Sequence, residues 1–322
     1  MRAATKTLGG LAALGAACFG WGLVERSLYT VRRVQLDVLP QSSAELRVLH
    51  VSDFHLMESQ RGKQEFIAAL AGLEPDLVVS TGDHISQAKA IPALMASLEP
   101  LRGIPGVFVF GSNDYFAPQF RNPLRYLTRG SSNGHKQPEP RQLPTAELAA
   151  HLEGLGWANL TQGRTVLEVA GHRLAFRGTD DAHLGRDDYA AVGGPPEPGA
   201  ALNIGVTHAP YLRLLNAMTA DGVDLIFGGH THGGQVCVPG HGALITNCDL
   251  DTARVKGLST HTSGGRTAHL HVSAGLGTSP FAPYRFACRP EVTLLTLVPG
   301  PERTIAHGPI RNREFAPEAA VR

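Results

Sequence analysis

Short apolar runs recur along the chain, and most of them stop abruptly at a glycine or a polar residue. Leu46-Arg47-Val48-Leu49-His50-Val51-Ser52 reads as a strand. Phe66–Leu73 then places apolar residues at helical spacing, and Asp76–Ser80 returns to a strand pattern. Ile91–Leu101 reads as a helix with Pro92 in its first turn, where a missing N–H costs nothing. Gly106–Phe110 is the third strand. Strand, helix, strand, helix, strand predicts a parallel sheet with functional residues at the carboxyl ends of its strands.

Further along, Thr145 caps a predicted helix that reaches Leu155. Thr165–Val169 and Arg173–Phe176 flank Ala170-Gly171-His172 as a hairpin. Leu202–Val206 is a strand, Pro210–Met218 a helix and Val223–Phe227 a short buried strand. Leu244–Thr246, His269–Ser273 and Glu291–Leu297 follow as strands. Arg129–Pro144 is a polar surface insertion, Gly193–Gly199 a Gly/Pro loop, and the chain from Pro299 a polar, poorly ordered tail. No internal repeat is visible.

Before the first of these runs, Leu8–Val24 is uncharged and rich in Ala, Gly and Leu, and it follows Arg2 and Lys6. Its length is at the short end of what a bilayer needs. The expectation is a retained N-terminal membrane anchor, single or peripheral, that puts the protein at the cell membrane. A cleaved signal peptide or a leader helix packed on protein are the other readings. Lys and Arg flank both ends in similar numbers, so the side of the membrane stays open. The predicted division is an anchor and linker over 1–37, a catalytic domain over 38–299 and a tail over 300–322.

Composition adds exclusions. An apolar content of 43% suits a globular core. A net charge of +1 gives no basic field for a nucleic acid polymer. Cys18, Cys237, Cys248 and Cys288 form no C-x-x-C, which argues against a structural zinc site. Buried free thiols are the plainer reading, and a Cys237–Cys248 disulfide the alternative for an exported domain.

The chemistry lies where the strands end. Asp53 and His55 follow the first run, Asp83 the second and Asn113-Asp114 the third. His208 follows Leu202–Val206, and Gly228-Gly229-His230-Thr231-His232-Gly233-Gly234 closes the run at Phe227. Paired glycines let the backbone turn tightly, so both histidines can point into one space. Asp53, His55, Asp83, Asn113, His208, His230 and His232 together supply carboxylates, imidazoles and an amide. That oxygen- and nitrogen-rich set without thiolate suits hard or borderline divalent ions. Two such ions sharing a carboxylate can clamp both oxygens of a phosphoryl displacement.

These motifs, in this order, resemble those of the calcineurin-like metallophosphoesterases over roughly Leu46–Leu297. Gly275-Leu276-Gly277-Thr278 and Cys288-Arg289-Pro290-Glu291 resemble the membrane-associated bacterial phosphodiesterase branch. The resemblance implies a four-layer α/β/β/α sandwich, an α/β fold with two central mixed sheets. It implies two divalent ions, drawn from Mn, Fe or Zn. Asp53, His55, Asp83 and His232 would hold one, and Asp83, Asn113, His208 and His230 the other, with Asp83 bridging. The implied reaction is in-line attack on phosphorus by a metal-bridging hydroxide.

The third motif departs from the family pattern. Gly-Asn-His-Asp or Gly-Asn-His-Glu is usual, and Gly111-Ser112-Asn113-Asp114 stands here. Either Ser112 or, after a one-residue shift, Asn113 is the ligand, and Asn113 is favoured because a serine hydroxyl is a poor one. No histidine stands in the usual acid position. Asp114 with a raised pKa is one replacement, and His84 another. A phosphodiester or pyrophosphate whose leaving group needs little protonation then fits best. With an anchor, a lipid-linked or cell-envelope ester fits. The alternative is a catalytically weak, membrane-linked metal-binding sensor or scaffold. No protein partner is expected.

Other polar residues have plainer readings. Asp180 and Asp181 read as surface-turn carboxylates, Asp249 and Asp251 as loop charges, and His269 and His271 as packing or surface residues. Arg285 would meet a substrate phosphate or form a structural ion pair. Arg121, Arg125 and Arg129 read as a solvated face.

Overall fold

The computed structural model describes residues 2–120, 141–300 and 313–314. A helix α1 (Arg2–Glu25) leads into strand β1 (Thr30–Leu39). Then come β2 (Leu46–Val51), α2 (Arg61–Ala69), β3 (Leu77–Ser80), α3 (Ile91–Leu98) and β4 (Gly106–Phe108). A short turn of helix α4 (Ser112–Tyr115), then α5 (Thr145–Glu153) and β5 (Trp157–Asn159), follow. The second half runs β6 (Gly163–Val169), β7 (His172–Gly178), β8 (Leu202–Val206), α6 (Leu212–Ala220) and β9 (Leu225–Gly228). It closes with β10 (Cys237–Val238), β11 (Gly242–Ala243), β12 (Gly257–Ser263), β13 (Arg266–Val272), β14 (Glu291–Pro299) and β15 (Arg313–Glu314).

The strands form two large mixed sheets, ordered β15-β1-β14-β2-β3-β4-β5 and β12-β13-β9-β8-β7-β6, beside a small β10-β11 ribbon. Within them β2, β3, β4 and β5 are parallel neighbours, as are β7, β8, β9 and β13. Side chains alternate between faces, so each strand feeds two cores. Leu77 and Val79 of β3 pack between the sheets with Leu174, Ile204 and Phe227. Val78 turns the other way, onto Ile67 of α2, Leu94 of α3 and Leu148 of α5. On the far side Leu215 and Met218 of α6 cover Ile226 and Leu270. Both faces of the central strands are covered, which is why their sequences are apolar throughout rather than alternating. The result is the α/β/β/α sandwich.

Several details differ from the sequence reading. β1 runs parallel to β14 in unbroken register from Thr30 opposite Glu291 to Asp37 opposite Val298. It buries Val31, Val34 and Leu36, so the division expected at 37/38 falls inside a strand of the sheet. Arg32 holds the buried Glu291 at 2.9 Å. Sequence reasoning also missed β5 and β12. The expected strand Leu244–Thr246 is absent, and the pairing there is β10 with β11. Of the insertion expected over Arg129–Pro144, residues 129–140 lie outside the described residues, as do Arg121 and Arg125, whereas Gln142 pairs with Phe116 and Leu143 is buried. Of the tail, Pro299 ends β14, Gly300 and 313–314 are described, and the rest lies outside.

Among the described residues no helix is long and apolar enough to cross a membrane. The run Leu8–Val24 is diluted by Gly9, Gly10, Gly15, Gly20 and Gly22, which add little hydrophobic free energy. The last turns of α1 dock on the domain. Glu25 accepts hydrogen bonds from Cys288 N at 2.7 Å and Ala287 N at 3.0 Å. Arg285 N donates to Gly22 O at 3.0 Å, and a Cβ on Gly22 would stand 3.1 Å from Arg285 O. Leu14, Phe19 and Trp21 stay exposed on the same helix.

Candidate metal centre

Every predicted ligand sits just past the carboxyl end of a strand. β2 delivers Asp53 and His55, β3 Asp83 and β4 Asn113, from one sheet. β8 delivers His208, and β9 His230 and His232, from the other. Five of the eleven non-glycine residues with positive φ among the described residues are Asp53, His55, Asp83, His230 and His232. Left-handed backbone at non-glycine positions is strained, and strain of this kind concentrates at functional sites.

Asp53, His55, Asp83 and His232 each offer a ligand atom within 4.8 Å of the others, and all four are buried. His55 Nε2 lies 3.3 Å from Asp83 Oδ2 and 3.1 Å from His232 Nε2. His232 Nε2 lies 3.4 Å from Asp53 Oδ1. On the other side of Asp83 stands His208, its Nε2 at 3.5 Å from Oδ2. Asn113 closes over the same carboxylate, donating from its backbone N at 2.7 Å and its Nδ2 at 2.8 Å. The Asn113 side chain is therefore seated beside the Asp83 carboxylate.

Hydrogen bonds orient the rings. His208 Nδ1 meets Thr81 O at 2.7 Å, and His232 Nδ1 meets Gly277 O at 3.1 Å. A carbonyl accepts only, so each Nδ1 carries the proton and each Nε2 presents its lone pair to the centre. His230 Nε2 lies 3.4 Å from Asn247 O, which leaves its Nδ1 as the open nitrogen. Asp53 is held by Ser52 Oγ at 2.5 Å and by His230 N at 3.1 Å. Behind Ser52 a chain runs through Thr81 at 2.7 Å and His50 at 3.0 Å to His271, whose Nδ1 stands 2.7 Å from that of His50.

The electrostatics call for a cation. Burial holds the rings of His230 and His232 well below the usual imidazole range and lowers His55 as well, favouring the neutral form a metal needs. Burial alone would raise the Asp83 carboxyl. The charges of His208 and His55, with the two Asn113 N–H groups, outweigh it and hold the group well below the usual carboxylate range. Burial would lower His208, but Asp83, Asp53 and Asp181 lift it to about 9. The surrounding carboxylates thus favour positive charge at a buried ring whose Nε2 has no hydrogen-bond partner among the described residues. A divalent ion supplies that positive charge, so these residues fit the metals expected of them.

Two glycines let the loops close on the carboxylates. A Cβ on Gly111 would meet Asp83 Oδ1 and stand 2.6 Å from His208 Cε1. A Cβ on Gly229 would meet Ser52 Oγ and stand 2.7 Å from Asp53 Oδ2. Gly229→Ala is accordingly expected to displace Asp53 and weaken Mn²⁺ binding by at least about 10-fold. Calorimetric titration alongside thermal melting checks this, and wild-type affinity in a folded variant would refute the close approach.

Other residues meet their sequence readings with mixed outcomes. Asp114 is fully buried and accepts from Asp83 N, His84 N and Gly111 N at 2.8, 2.8 and 3.0 Å and from His84 Nδ1 at 3.0 Å. It fastens the loops that carry Asp83 and Asn113, and its oxygens have no capacity left for acid catalysis. His84 spends its other nitrogen on Ser80 Oγ at 2.8 Å. Arg285 neither reaches outward nor pairs with an acid: its NH2 donates to Ala274 O and Gly277 O at 2.7 Å, and its NH1 to His232 O at 3.3 Å. Asp180 and Asp181 are buried rather than surface carboxylates, and burial pushes Asp181 up to about 7. His271 lies in the core, while Asp249 caps α6 through Leu212 N at 2.8 Å. Cys237 and Cys288 are buried free thiols, and Cys237 and Cys248 are not bridged.

Sequence reasoning missed His183, whose ring centroid is 4.5 Å from that of His230, and Lys63, whose Nζ donates to Phe54 O at 2.7 Å. Burial lowers Lys63 to about 7. Neither residue belongs to a local motif, so only tertiary structure brings them here.

Residues 46–234 match the family model described as Calcineurin-like phosphoesterase. The chain is 25% identical over 282 residues to the uncharacterized metallophosphoesterase YkuE of Bacillus subtilis (strain 168), covering 85% of this chain and 86% of that one. It is 26% identical over 282 residues to the phosphodiesterase YaeI of Escherichia coli (strain K12), covering 85% and 90%. Among solved structures, a purple acid phosphatase of yellow lupin aligns with a TM-score of 0.42 at 16% identity, over 77% of this chain and 46% of that one.

Proposed function

As the chain belongs to the calcineurin-like phosphoesterase family, we propose that this metal-dependent phosphoester hydrolase acts on a phosphodiester or a pyrophosphate. The observation that carries the reading is Asp83. Its Oδ2 stands 3.3 Å from His55 Nε2 and 3.5 Å from His208 Nε2. One carboxylate oxygen between two imidazoles is what a pair of cations sharing a ligand requires.

Asp53, His55, Asp83 and His232 would hold one divalent ion, and Asp83, Asn113, His208 and His230 the other. Bound there, the pair supplies Lewis-acid polarisation of the phosphoryl oxygens and an activated water. The chain contributes positioning. Thr81 O and Gly277 O keep the protons of His208 and His232 on the far side of their rings. Asp114 pins the loops of Asp83 and Asn113 to each other, which fixes the separation of the two ligand halves. Asp114 and His84 bond to one another below the site, so neither hands a proton to a leaving oxygen. A leaving group that departs without protonation suits this arrangement, as in a pyrophosphate or an activated diester.

An amphiphilic, lipid-linked ester is the substrate class we favour. The exposed rings of Phe120 and Phe281, 6.1 Å apart, support it by offering an apolar border on the segments after α4 and after Gly277. The exposed Leu14, Phe19 and Trp21 of α1 support a peripheral position at a membrane surface.

The test is hydrolysis by the full chain, with added Mn²⁺, of an aryl phosphodiester, an organic pyrophosphate and an aryl phosphomonoester. Diester or pyrophosphate turnover should exceed monoester turnover, vanish on chelation and return with Mn²⁺. Preference for the monoester would refute the substrate class, and turnover indifferent to chelation would refute the metal requirement.

A further inference from the structure

β7 and β8 run parallel with Gly178 opposite Val206. The pairing continues past both strand ends. Thr179 N donates to Val206 O at 3.2 Å, and the hydroxyls of Thr179 and Thr207 lie 3.2 Å apart. Asp180 and Asp181 therefore leave the sheet beside Thr207 and His208. Two residues on, the His183 ring packs against His230, and its Nδ1 reaches Tyr211 OH at 3.2 Å. The segment 180–183 thus borders the His208–His230 half of the centre.

Within it the two aspartates do different work. Asp180 accepts from Tyr115 OH at 2.7 Å, Asp181 N at 2.7 Å and Arg186 Nε at 3.0 Å, a satisfied structural carboxylate. Asp181 has no solvent exposure, and its Oδ1 accepts from His183 N at 2.9 Å. Its Oδ2 is buried with no hydrogen-bond partner among the described residues. His208 Nε2, the open nitrogen of the same half of the centre, is in the same condition. Buried polar atoms are nearly always paired, and a buried carboxylate oxygen left unpaired on the segment that borders an open imidazole nitrogen has the make-up of a cation ligand.

We propose that Asp181 is a further ligand of the divalent ion on the His208–His230 side, contributing its Oδ2. The proposal rests on the metal centre described above. That half otherwise has only the shared carboxylate of Asp83, two neutral imidazoles and the neutral amide of Asn113. A second carboxylate offsets the poor third motif and shifts the preference of this half toward hard, oxygen-seeking ions such as Mn²⁺ or Mg²⁺ over Zn²⁺.

The experiment compares the full-length wild type with Asp181→Asn, a nearly isosteric change. The readouts are metal per chain after Mn²⁺ loading and gel filtration, Mn²⁺ titration by calorimetry, and the visible absorption of the Co²⁺-loaded protein. The wild type should take up about two ions. Asp181→Asn should keep one and bind the second at least about 10-fold more weakly, with an altered Co²⁺ spectrum. Asp180→Asn should keep both sites. If circular dichroism shows Asp181→Asn to be misfolded, Asp181→Ser removes the carboxylate without added bulk and answers the same question. Two ions bound to a folded Asp181 variant with wild-type affinity and an unchanged Co²⁺ spectrum would overturn this proposal alone. A wild-type chain that takes up no metal would overturn it together with the metal centre.

Discussion

Asp83→Asn is expected to lower hydrolysis by at least about 10³-fold and to remove most of the bound metal, while leaving the chain folded. Asp83 is a carboxylate whose side chain stands between imidazoles of both halves of the centre. Its Oδ2 serves His55 and His208, and its Oδ1 accepts the backbone N–H of Asn113 at 2.7 Å. An amide in its place keeps one oxygen and turns an NH₂ toward donors or toward a cation. If the oxygen stays on the Asn113 backbone, the NH₂ confronts the Asn113 amide and the two rings. The variant also loses the negative charge that contributes most to lifting His208, so the attraction for any cation falls on both sides at once. Metal content, turnover and thermal melting of one preparation check this. A folded variant with about two ions per chain and wild-type turnover would show that Asp83 does not bridge.

Most of the site was legible because its ligands follow strand ends, and strand ends are marked locally by an apolar run and a glycine. Asp53, His55, Asp83, His208, His230 and His232 all follow an apolar run, and a glycine stands just before Asp83 and His230 as well. The same reasoning failed where burial depends on distant chain. Gly178-Thr179-Asp180-Asp181 has the composition of an exposed turn, and only the pairing of β7 with β8 puts Asp181 beside His208. Asp114 follows a ligand and invited a catalytic reading. Its four donors come from two loops and could not be counted from the sequence. Arg285 looked like a phosphate ligand, yet it is spent on the carbonyls of a turn that the chain reaches only after His232 is in place. The fold was read correctly in its centre and missed at its edges. β3 is apolar on both faces and declares itself, whereas β1 interleaves Arg32, Arg33, Gln35 and Asp37 with its buried residues and resembles the flank of a leader.

That misreading has a direct consequence for any shortened protein. A chain begun at Val38 is expected not to fold, whereas one lacking only residues 2–18 should fold and keep its metals. The first deletion removes buried Val31, Val34 and Leu36, which at about 1.5–3 kcal/mol each is roughly 5–9 kcal/mol, on the scale of a whole domain's net stability. It strips β14 of the parallel partner that runs along it from Glu291 to Val298. It also leaves Glu291, 3% exposed, without Arg32, and an unpaired buried charge costs about 3–5 kcal/mol. Glu25 goes as well, freeing the backbone N–H groups of Ala287 and Cys288 next to Arg285, which ties His232 O to Gly277 O. The shorter deletion spares Trp21, whose Nε1 holds Glu25 at 2.8 Å, and so keeps the docked turn of α1. Soluble yield, circular dichroism melting and Mn²⁺ content of the two truncations separate the cases. A folded, metal-binding chain starting at Val38 would show that β1 is an appendage to the sheet, and loss of metal from the shorter deletion would extend the essential part of α1 toward its N-terminus.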